Sequence, residues 1–362
     1  MVSIKNIFKR QPEPLIGIDI SATAVKLVEL SRDGRGAWTL ERCAMEPLGA
    51  AREEDGTMSY FDDVVAALQR LLKKSGTRAK HVALSLPPSA VITKKVVLPG
   101  SLSDQELEIQ VESEASQYIP FSLDEVSLDF AVMGPSPKSP GDMDVLLAAT
   151  RKEKLQERVE IAEAAGLKPV VMDIDTYAAR LAVERLLEGP QAVLHVGEAD
   201  LVALVKIGGR GYTMQILRGE EVLYDTEQSL GGTQLTQNIA RHYSMTEEEA
   251  EKKKRAGELP ADYPVEVLQP FVKGLAQDIA RALQFFFTST PYHSVQHVLL
   301  FGGSAGLDGL ASAIQESTNV STKVLNPFEG MELGSNASKS RVRRDGAAYL
   351  TACGLALRRF YQ

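Results

Sequence analysis

Two stretches of the chain, residues 15–47 and residues 192–225, follow one plan: apolar run, small polar or glycine turn, alternating run, glycine-rich turn, third run. Apolar runs and strict alternation of this length read as strands. In the first stretch the strands are Leu15–Ile20, Ala24–Leu30 and Trp38–Met45, the last following the Asp33-Gly34 turn. In the second they are Ala192–Val196, Leu201–Ile207 and Tyr212–Arg218, with Gly208-Gly209 and Gly219 as turns and Val222–Leu230 as a fourth strand. Gly17-Ile18-Asp19-Ile20-Ser21 lies over Val193-Leu194-His195-Val196-Gly197, so Asp19 falls on His195 and Ser21 on Gly197. A duplicated β-β-β unit followed by helices predicts two like lobes facing each other, with a ligand in the cleft between them.

The remaining segments fill in around this duplication. Tyr60–Lys74 has helical spacing, and His81–Leu86 is a strand closed by Pro87-Pro88. Residues 87–170 read as a separate small α/β unit. Its strands are Lys95–Leu98, Val126–Met133, Met143–Thr150 and Pro169–Asp173. Its helices run from the capping box at Ser103–Glu106 to Tyr118 and from Lys152 to Ala165, where Gly166 stops the second. Thr176–Leu187 is a helix before the second stretch. Gly231-Gly232 opens a helix to about Tyr243, and Thr246–Ala256 and Val265–Thr288 follow. His297–Phe301 is a strand ending in Gly302-Gly303, and Gly346–Tyr361 closes the chain as a helix. The lead-in 1–14 is basic and ends in proline, as a frayed terminus would.

Composition narrows the function classes. The net charge of −8 argues against a general nucleic-acid binder. No apolar run approaches the ~18–20 residues of a membrane span. With Cys43 and Cys353 as the only cysteines, a disulfide framework is excluded and a cytoplasmic setting expected. His293 and His297 are spaced i,i+4, but Pro291 precedes them and a strand follows, so they read as loop and strand residues rather than a zinc pair.

The turns point to anion binding. Backbone N–H groups in a tight hairpin turn aim at a phosphate, and small residues let it approach. Ser21-Ala22-Thr23 adds hydroxyls, Asp19 could hold Mg²⁺ through water, and Lys26 on the next strand could reach a β- or γ-phosphate.

Gly17-Ile-Asp-Ile-Ser-Ala-Thr-Ala-Val-Lys26 resembles the first phosphate loop of the actin / heat-shock chaperone / sugar-kinase superfamily. Val193–Val205 sits where that superfamily has its second phosphate loop, and Leu299-Leu-Phe-Gly-Gly-Ser304 resembles its adenosine motif. Gly231-Gly-Thr-Gln-Leu-Thr236 and Ala250-Glu-Lys-Lys-Lys254 resemble second-lobe segments of the FtsA branch. Together with the closing Gly-Leu-Ala-Leu-Arg358, they are most similar to the PilM family of type IV pilus assembly proteins.

The resemblance implies an α/β, two-lobed actin-like ATPase fold with duplicated β-β-β-α-β-α units and a 1C insertion of the FtsA type. The implied subdomains are 1A (15–86, 174–191 and 345–362), 1C (87–173), 2A (192–235 and 296–344) and 2B (236–295). Carried over residue by residue, the nucleotide contacts are Asp19, Ser21, Ala22, Thr23 and Lys26 in the first loop. Gly197 and Glu198 form the second loop, and Gly231 and Gly232 the nucleotide-facing helix start. Glu251 and Lys254 flank ribose and adenine, and Gly302, Gly303 and Ser304 form the adenosine loop.

The implied ligand is ATP with Mg²⁺, the metal held by Asp19 through water. His195 stands where the second loop usually has an acid, and imidazole is a poor magnesium ligand, so slow or absent hydrolysis is expected. The implied partner is the N-terminal cytoplasmic tail of the inner-membrane protein PilN, taken up between the first lobe and the insertion, at the inner face of the inner membrane. Contact with the pilus motor ATPases and a homo-oligomer are compatible with this reading. Two alternatives share the fold: an active ATPase or small-molecule kinase, and an FtsA-like filament protein. FtsA-type chains carry an amphipathic targeting helix after the fold, whereas this sequence ends at Gln362 directly after its closing helix.

Overall fold

The computed structural model describes residues 14–49, 56–137, 139–187, 194, 196–197, 199–219 and 221–361. The basic lead-in before Pro14 lies outside the described residues, as do Ala192, Val193, His195 and Glu198.

The first lobe opens with strands β1 (Leu15–Ile20), β2 (Ala24–Arg32) and β3 (Trp38–Pro47), then helix α1 (Gly56–Ser75) and strand β4 (His81–Leu86). The second opens with β9 (Leu201–Ile207), β10 (Tyr212–Arg218) and β11 (Glu221–Gln228). Between them lie β5 (Val91–Pro99), α2 (Asp104–Tyr118), β6 (Val126–Pro135), β7 (Asp142–Arg151), α3 (Lys152–Ala164), β8 (Lys168–Ile174) and α4 (Asp175–Leu187). After β11 come α5 (Gly232–His242), α6 (Glu247–Ala256), α7 (Gln269–Ser289), β12 (His297–Phe301), α8 (Leu310–Thr318), β13 (Ser321–Val324), β14 (Glu332–Leu333), α9 (Lys339–Asp345) and α10 (Leu350–Leu357).

The strands form a six-stranded sheet in the order β14-β3-β2-β1-β4-β8, a five-stranded sheet in the order β11-β10-β9-β12-β13 and a three-stranded sheet in the order β5-β7-β6. The two large sheets share one topology. An antiparallel β1-β2-β3 meander with β4 and β8 parallel to β1 is repeated by β9-β10-β11 with β12 and β13. The duplication is therefore real, but its phase differs from the sequence reading. The counterpart of β1 is Leu201–Ile207, not Ala192–Val196. Leu15 pairs with His81 as Val202 pairs with His297. Ile20 pairs with Val25 as Ile207 pairs with Tyr212. On this register Asp19 corresponds to Lys206 and Ser21 to Gly208, not to His195 and Gly197.

Helices α4 and α10 lie between the two large sheets. Ala179, Ala182, Cys353 and Ala356 pack there with Val28 and Leu30 of one sheet and Val202, Leu204 and Leu299 of the other. The approach is close because the contact residues are small. A Cβ on Gly354 would fall 1.6 Å from the Ala178 carbonyl oxygen, and one on Gly17 2.2 Å from that of Ala352. Gly17 therefore serves helix packing, not phosphate approach. The outer face of the first sheet is covered by α1 and α3 through Val64, Leu68, Leu71 and Ile161. That of the second is covered by α5, α7 and α8 through Leu235, Leu275, Leu283 and Ile314.

The insertion has its own core, with Val96, Leu98, Val145 and Leu147 of its sheet against Leu107, Val111 and Ala115 of α2. The capping box starts α2 as expected: the Ser103 N–H donates to Glu106 Oε2 at 2.9 Å. Its far boundary differs from 170–173. Strand β8 pairs with β4 in the six-stranded sheet, and Ile161 and Ala162 of α3 belong to the first lobe's core. The insertion thus ends near Arg151. At the other end of the chain, β14 pairs with β3, so residues 332–333 join the first lobe's sheet rather than the second. His297 opens strand β12, so His293 and His297 share no helix.

Candidate functional site

The end of β1 carries a buried ion pair. Asp19 and Lys26 pair across β1 and β2, and both are buried. Lys26 Nζ donates to Asp19 Oδ2 at 2.7 Å and to Ser21 Oγ at 3.0 Å, while Ser21 Oγ donates to the Ala24 carbonyl at 2.8 Å. Burial would raise the Asp19 carboxyl, but Lys26, Lys206 and, more weakly, Arg158 outweigh it and hold it below the usual carboxylate range.

The matching turn in the second lobe is Gly208–Gly211. The Ser21 N–H donates to Ala24 O at 3.0 Å, and the Gly208 N–H to Gly211 O at 2.8 Å, so the two turns share their hydrogen bond. Just before this turn, where β1 has Asp19, β9 has Lys206. Its Nζ donates to Asp175 Oδ2, at the start of α4, at 2.6 Å. Burial disfavours the ammonium, yet Asp175 and Asp19 more than compensate, and the Lys206 pKa rises.

The glycines of the sequence motifs gather around this second turn. The Gly232 N–H donates to Gly208 O at 3.0 Å and the Thr233 N–H to Gly209 O at 2.8 Å, which satisfies the first donors of α5. A Cβ on Gly231 would fall 2.5 Å from Gly209 O, and one on Gly232 2.3 Å from Ser304 Oγ. Ser304 Oγ donates to Gly208 O at 3.2 Å, and the Ser304 N–H to Ile207 O at 3.1 Å. Gly302 sits at φ 104°, and any Cβ there would meet Ile207 O at 2.4 Å. Across the cleft, Thr23 Cγ2 lies 2.4 Å from where a Cβ on Gly209 would be, so the two turns are in contact.

Glu251 and Lys254, one turn apart on α6, reach the same region. Lys254 Nζ lies 2.5 Å from Glu251 Oε2 and 2.6 Å from Thr236 Oγ1. Thr236 Oγ1 in turn lies 2.6 Å from Glu251 Oε2, closing a triangle beside the first turn of α5. Burial pushes the Glu251 carboxyl up, but Lys254, Thr236 and Arg255 together bring it down to about 2. Burial lowers the Lys254 pKa.

The structure therefore brings together Asp19, Ser21, Ala22, Thr23, Lys26, Gly231, Gly232, Glu251, Lys254, Gly302, Gly303 and Ser304 around the two facing turns. Gly197 is not among them. Its N–H donates to Asp200 Oδ2 at 2.7 Å in a turn before β9. At ~3.3 Å per residue, the length of that strand separates this turn from Gly208 by roughly 20 Å. Lys206, Gly208, Gly209 and Asp175 belong to the cleft and were not singled out from the sequence. For Lys206, Gly208 and Gly209 the signal lies in the apolar strand Leu201–Ile207 followed by Gly-Gly, but the phase of the duplication hid it.

Asp19 does not fit a water-held Mg²⁺. Its Oδ2 is taken by the Lys26 ammonium, and Lys206 adds a second positive charge nearby. Magnesium seeks hard, anionic oxygen with room for its waters, and the buried, lysine-paired Asp19 carboxylate leaves them little room.

A second depression lies where the first lobe meets the insertion. This groove encloses about 480 Å³. Leu86, Pro87, Ile92 and Phe121 give it apolar walls, and Arg151, Lys154, Glu157 and Arg158 line it with three basic groups and one acidic one. Arg151 stacks over the Phe121 ring at 5.3 Å, and Arg158 Nη1 is buried without a hydrogen-bond partner.

Comparison with known proteins gives a consistent picture. A family model described as type IV pilus assembly protein PilM matches residues 17–360. Among solved structures, one described as a PilM-PilN type IV pilus biogenesis complex superposes with a TM-score of 0.75 and 29% identity, over 96% of this chain and 99% of that one. The ethanolamine utilization protein EutJ from Carboxydothermus hydrogenoformans gives a TM-score of 0.55 at 15% identity, covering 96% and 90%. A diol dehydratase-reactivating factor in nucleotide-free form gives 0.50 at 10%, covering 97% and 100%. The last two share the fold only.

Proposed function

Because the chain belongs to the PilM family of type IV pilus assembly proteins, we propose that it is a scaffold that holds the N-terminal tail of PilN, linking the inner-membrane alignment complex to the cytoplasmic motor. The observation that carries this is the groove between the first lobe and the insertion. It is walled by apolar side chains and lined by Arg151, Lys154, Glu157 and Arg158. An extended tail fits such a groove with a few apolar anchors supplying most of the energy. The likeness to the PilM-PilN complex over nearly the whole chain supports the same reading. Held by that tail, the protein would sit at the inner face of the inner membrane through its partner. No helix among the described residues is long and apolar enough to cross a membrane.

The cleft between the lobes takes ATP in this proposal, with Thr23, Lys26 and Lys206 on the phosphate side and Glu251 and Lys254 on the nucleoside side. The gathering of the glycine turns around Gly208 supports it. Hydrolysis is slow or absent, because the second lobe offers Lys206 where the first offers Asp19. Turnover by clean protein near the ~10 s⁻¹ of a median enzyme would defeat that part.

The groove is tested by fluorescence anisotropy with a labelled peptide of the PilN tail and the full chain. Saturable binding is expected, weakened about tenfold or more by Phe121→Ala, the size of a hot-spot loss. Replacing residues 88–150 by a Gly/Ser bridge spares β8 and α3 and should abolish peptide binding. Undiminished affinity in both variants would place the tail elsewhere.

A further inference from the structure

We propose that Lys206 is the resident cation of the cleft, so that nucleotide phosphate binds there without a divalent metal. This rests on the nucleotide reading given above and deepens it.

Lys206 occupies, strand for strand and pair for pair, the position that Asp19 holds in the other lobe. A cleft with a carboxylate on each side repels a phosphate chain and needs a metal to bridge the like charges. With a carboxylate on one side and an ammonium on the other, that need is gone. Asp19 is paired with Lys26 at 2.7 Å and Asp175 with Lys206 at 2.6 Å, so these two acids already have a cation.

Lys206 is also the more available of the two lysines. Its side chain keeps 22% of its exposure against 7% for Lys26. It stands beside the Gly208 turn, whose neighbours Gly231, Gly232 and Gly302 leave no room for side chains. Asp175 holds the ammonium in place from the start of α4, and Asp175 Oδ1 is buried without a partner of its own. Lys206 can turn from Asp175 toward a phosphate oxygen while keeping a charge-assisted hydrogen bond at each stage. An added Mg²⁺ would instead displace one ammonium or the other from its carboxylate.

The test is calorimetric titration of ATP into the full-length chain, once with excess EDTA and once with excess Mg²⁺, with melting curves under the same conditions. The expected result is a dissociation constant in EDTA equal to or tighter than that with Mg²⁺, and the same melting shift. Lys206→Met should weaken ATP at least tenfold in EDTA, and Lys206→Arg should restore most of the loss. Lys206→Asp should acquire metal dependence, binding ATP at least tenfold more tightly with Mg²⁺ than without. Mn²⁺ resonance of the natural chain with ATP should show no protein-held metal. Binding at least tenfold tighter with Mg²⁺ in the natural chain overturns the role of Lys206 and leaves the nucleotide reading intact. No heat and no melting shift in either condition, with the tail peptide still bound, overturns the nucleotide reading itself. The two natural-chain titrations decide the matter even where a variant fails to fold.

Discussion

The two turns that face each other across the cleft are built alike and charged oppositely. Each closes an antiparallel hairpin with the same N–H to carbonyl hydrogen bond four residues wide, Ser21 to Ala24 and Gly208 to Gly211. Yet the residue two places before the turn is Asp19 in one lobe and Lys206 in the other, and the second turn position is Ala22 in one and Gly209 in the other. Backbone hydrogen bonds set the shape of a hairpin and tolerate any side chain that points away from them. The duplicated scaffold has therefore kept its geometry while its chemistry diverged. The alanine-to-glycine difference has a steric reason. Gly209 faces Thr23 of the opposite turn, and a methyl group there would collide with it.

The largest effect is expected from breaking the charge pairing on the first side. Lys26→Met leaves the Asp19 carboxylate buried without its 2.7 Å partner. Removing one member of a buried pair costs ~3–5 kcal/mol. Denaturant unfolding should show that loss, and Lys26→Met with Asp19→Asn should recover a large part of it. If the single variant unfolds at the natural midpoint, Asp19 is not held by Lys26.

A smaller effect sharpens the steric side of the comparison. Gly209→Ala copies the alanine of the first turn into the second. It should destabilise by ~1–3 kcal/mol, the usual range for overpacking. Thr23→Ala in the same chain should return part of the loss, with a coupling of ~0.5–3 kcal/mol for residues in contact. Strict additivity of the two substitutions would mean that the turns do not touch.

The smallest effect is a pH dependence. The Glu251 carboxyl is held at about 2 against an ordinary 4.5. A pKa depressed in the folded state stabilises fully above pH 4.5, and this share is lost as pH falls toward 2. Because the side chain keeps 34% exposure, solvent screening leaves on the order of 1 kcal/mol. Melting curves from about pH 6 down to about pH 2.5 should show Glu251→Gln losing less stability than the natural chain over the acid half of the range. Parallel curves would assign the acid limb to other carboxylates.

Much of this was legible in the residues. The strands Leu15–Ile20, His81–Leu86, Leu201–Ile207, Tyr212–Arg218 and His297–Phe301 have the bounds that their apolar runs imply. The capping box of Ser103 and Glu106 and the stop at Gly166, which sits at φ 81°, announced their helix ends. These are local matters, settled by a few neighbouring residues: side-chain period, cap chemistry and the left-handed freedom of glycine. The short elements Leu310–Thr318, Ser321–Val324 and Glu332–Leu333 carry too few periods to show.

Tertiary structure alone decided which strand lies beside which. An apolar run reports that a strand is buried and says nothing of its neighbour, because backbone pairing is the same for every sequence. The strand Pro169–Asp173 reads from sequence as part of the insertion, and only the pairing of Lys168–Ile174 with His81–Leu86 assigns it to the first sheet. The same holds for the phase of the duplication. Ala192–Val196 and Leu201–Ile207 are both apolar runs before a glycine turn, and the pairing of Leu201–Ile207 with Tyr212–Arg218 and His297–Phe301 chooses between them. That choice moved the second-lobe counterpart of Asp19 from His195 to Lys206, because long-range packing, not local pattern, sets the register on which a site is assembled.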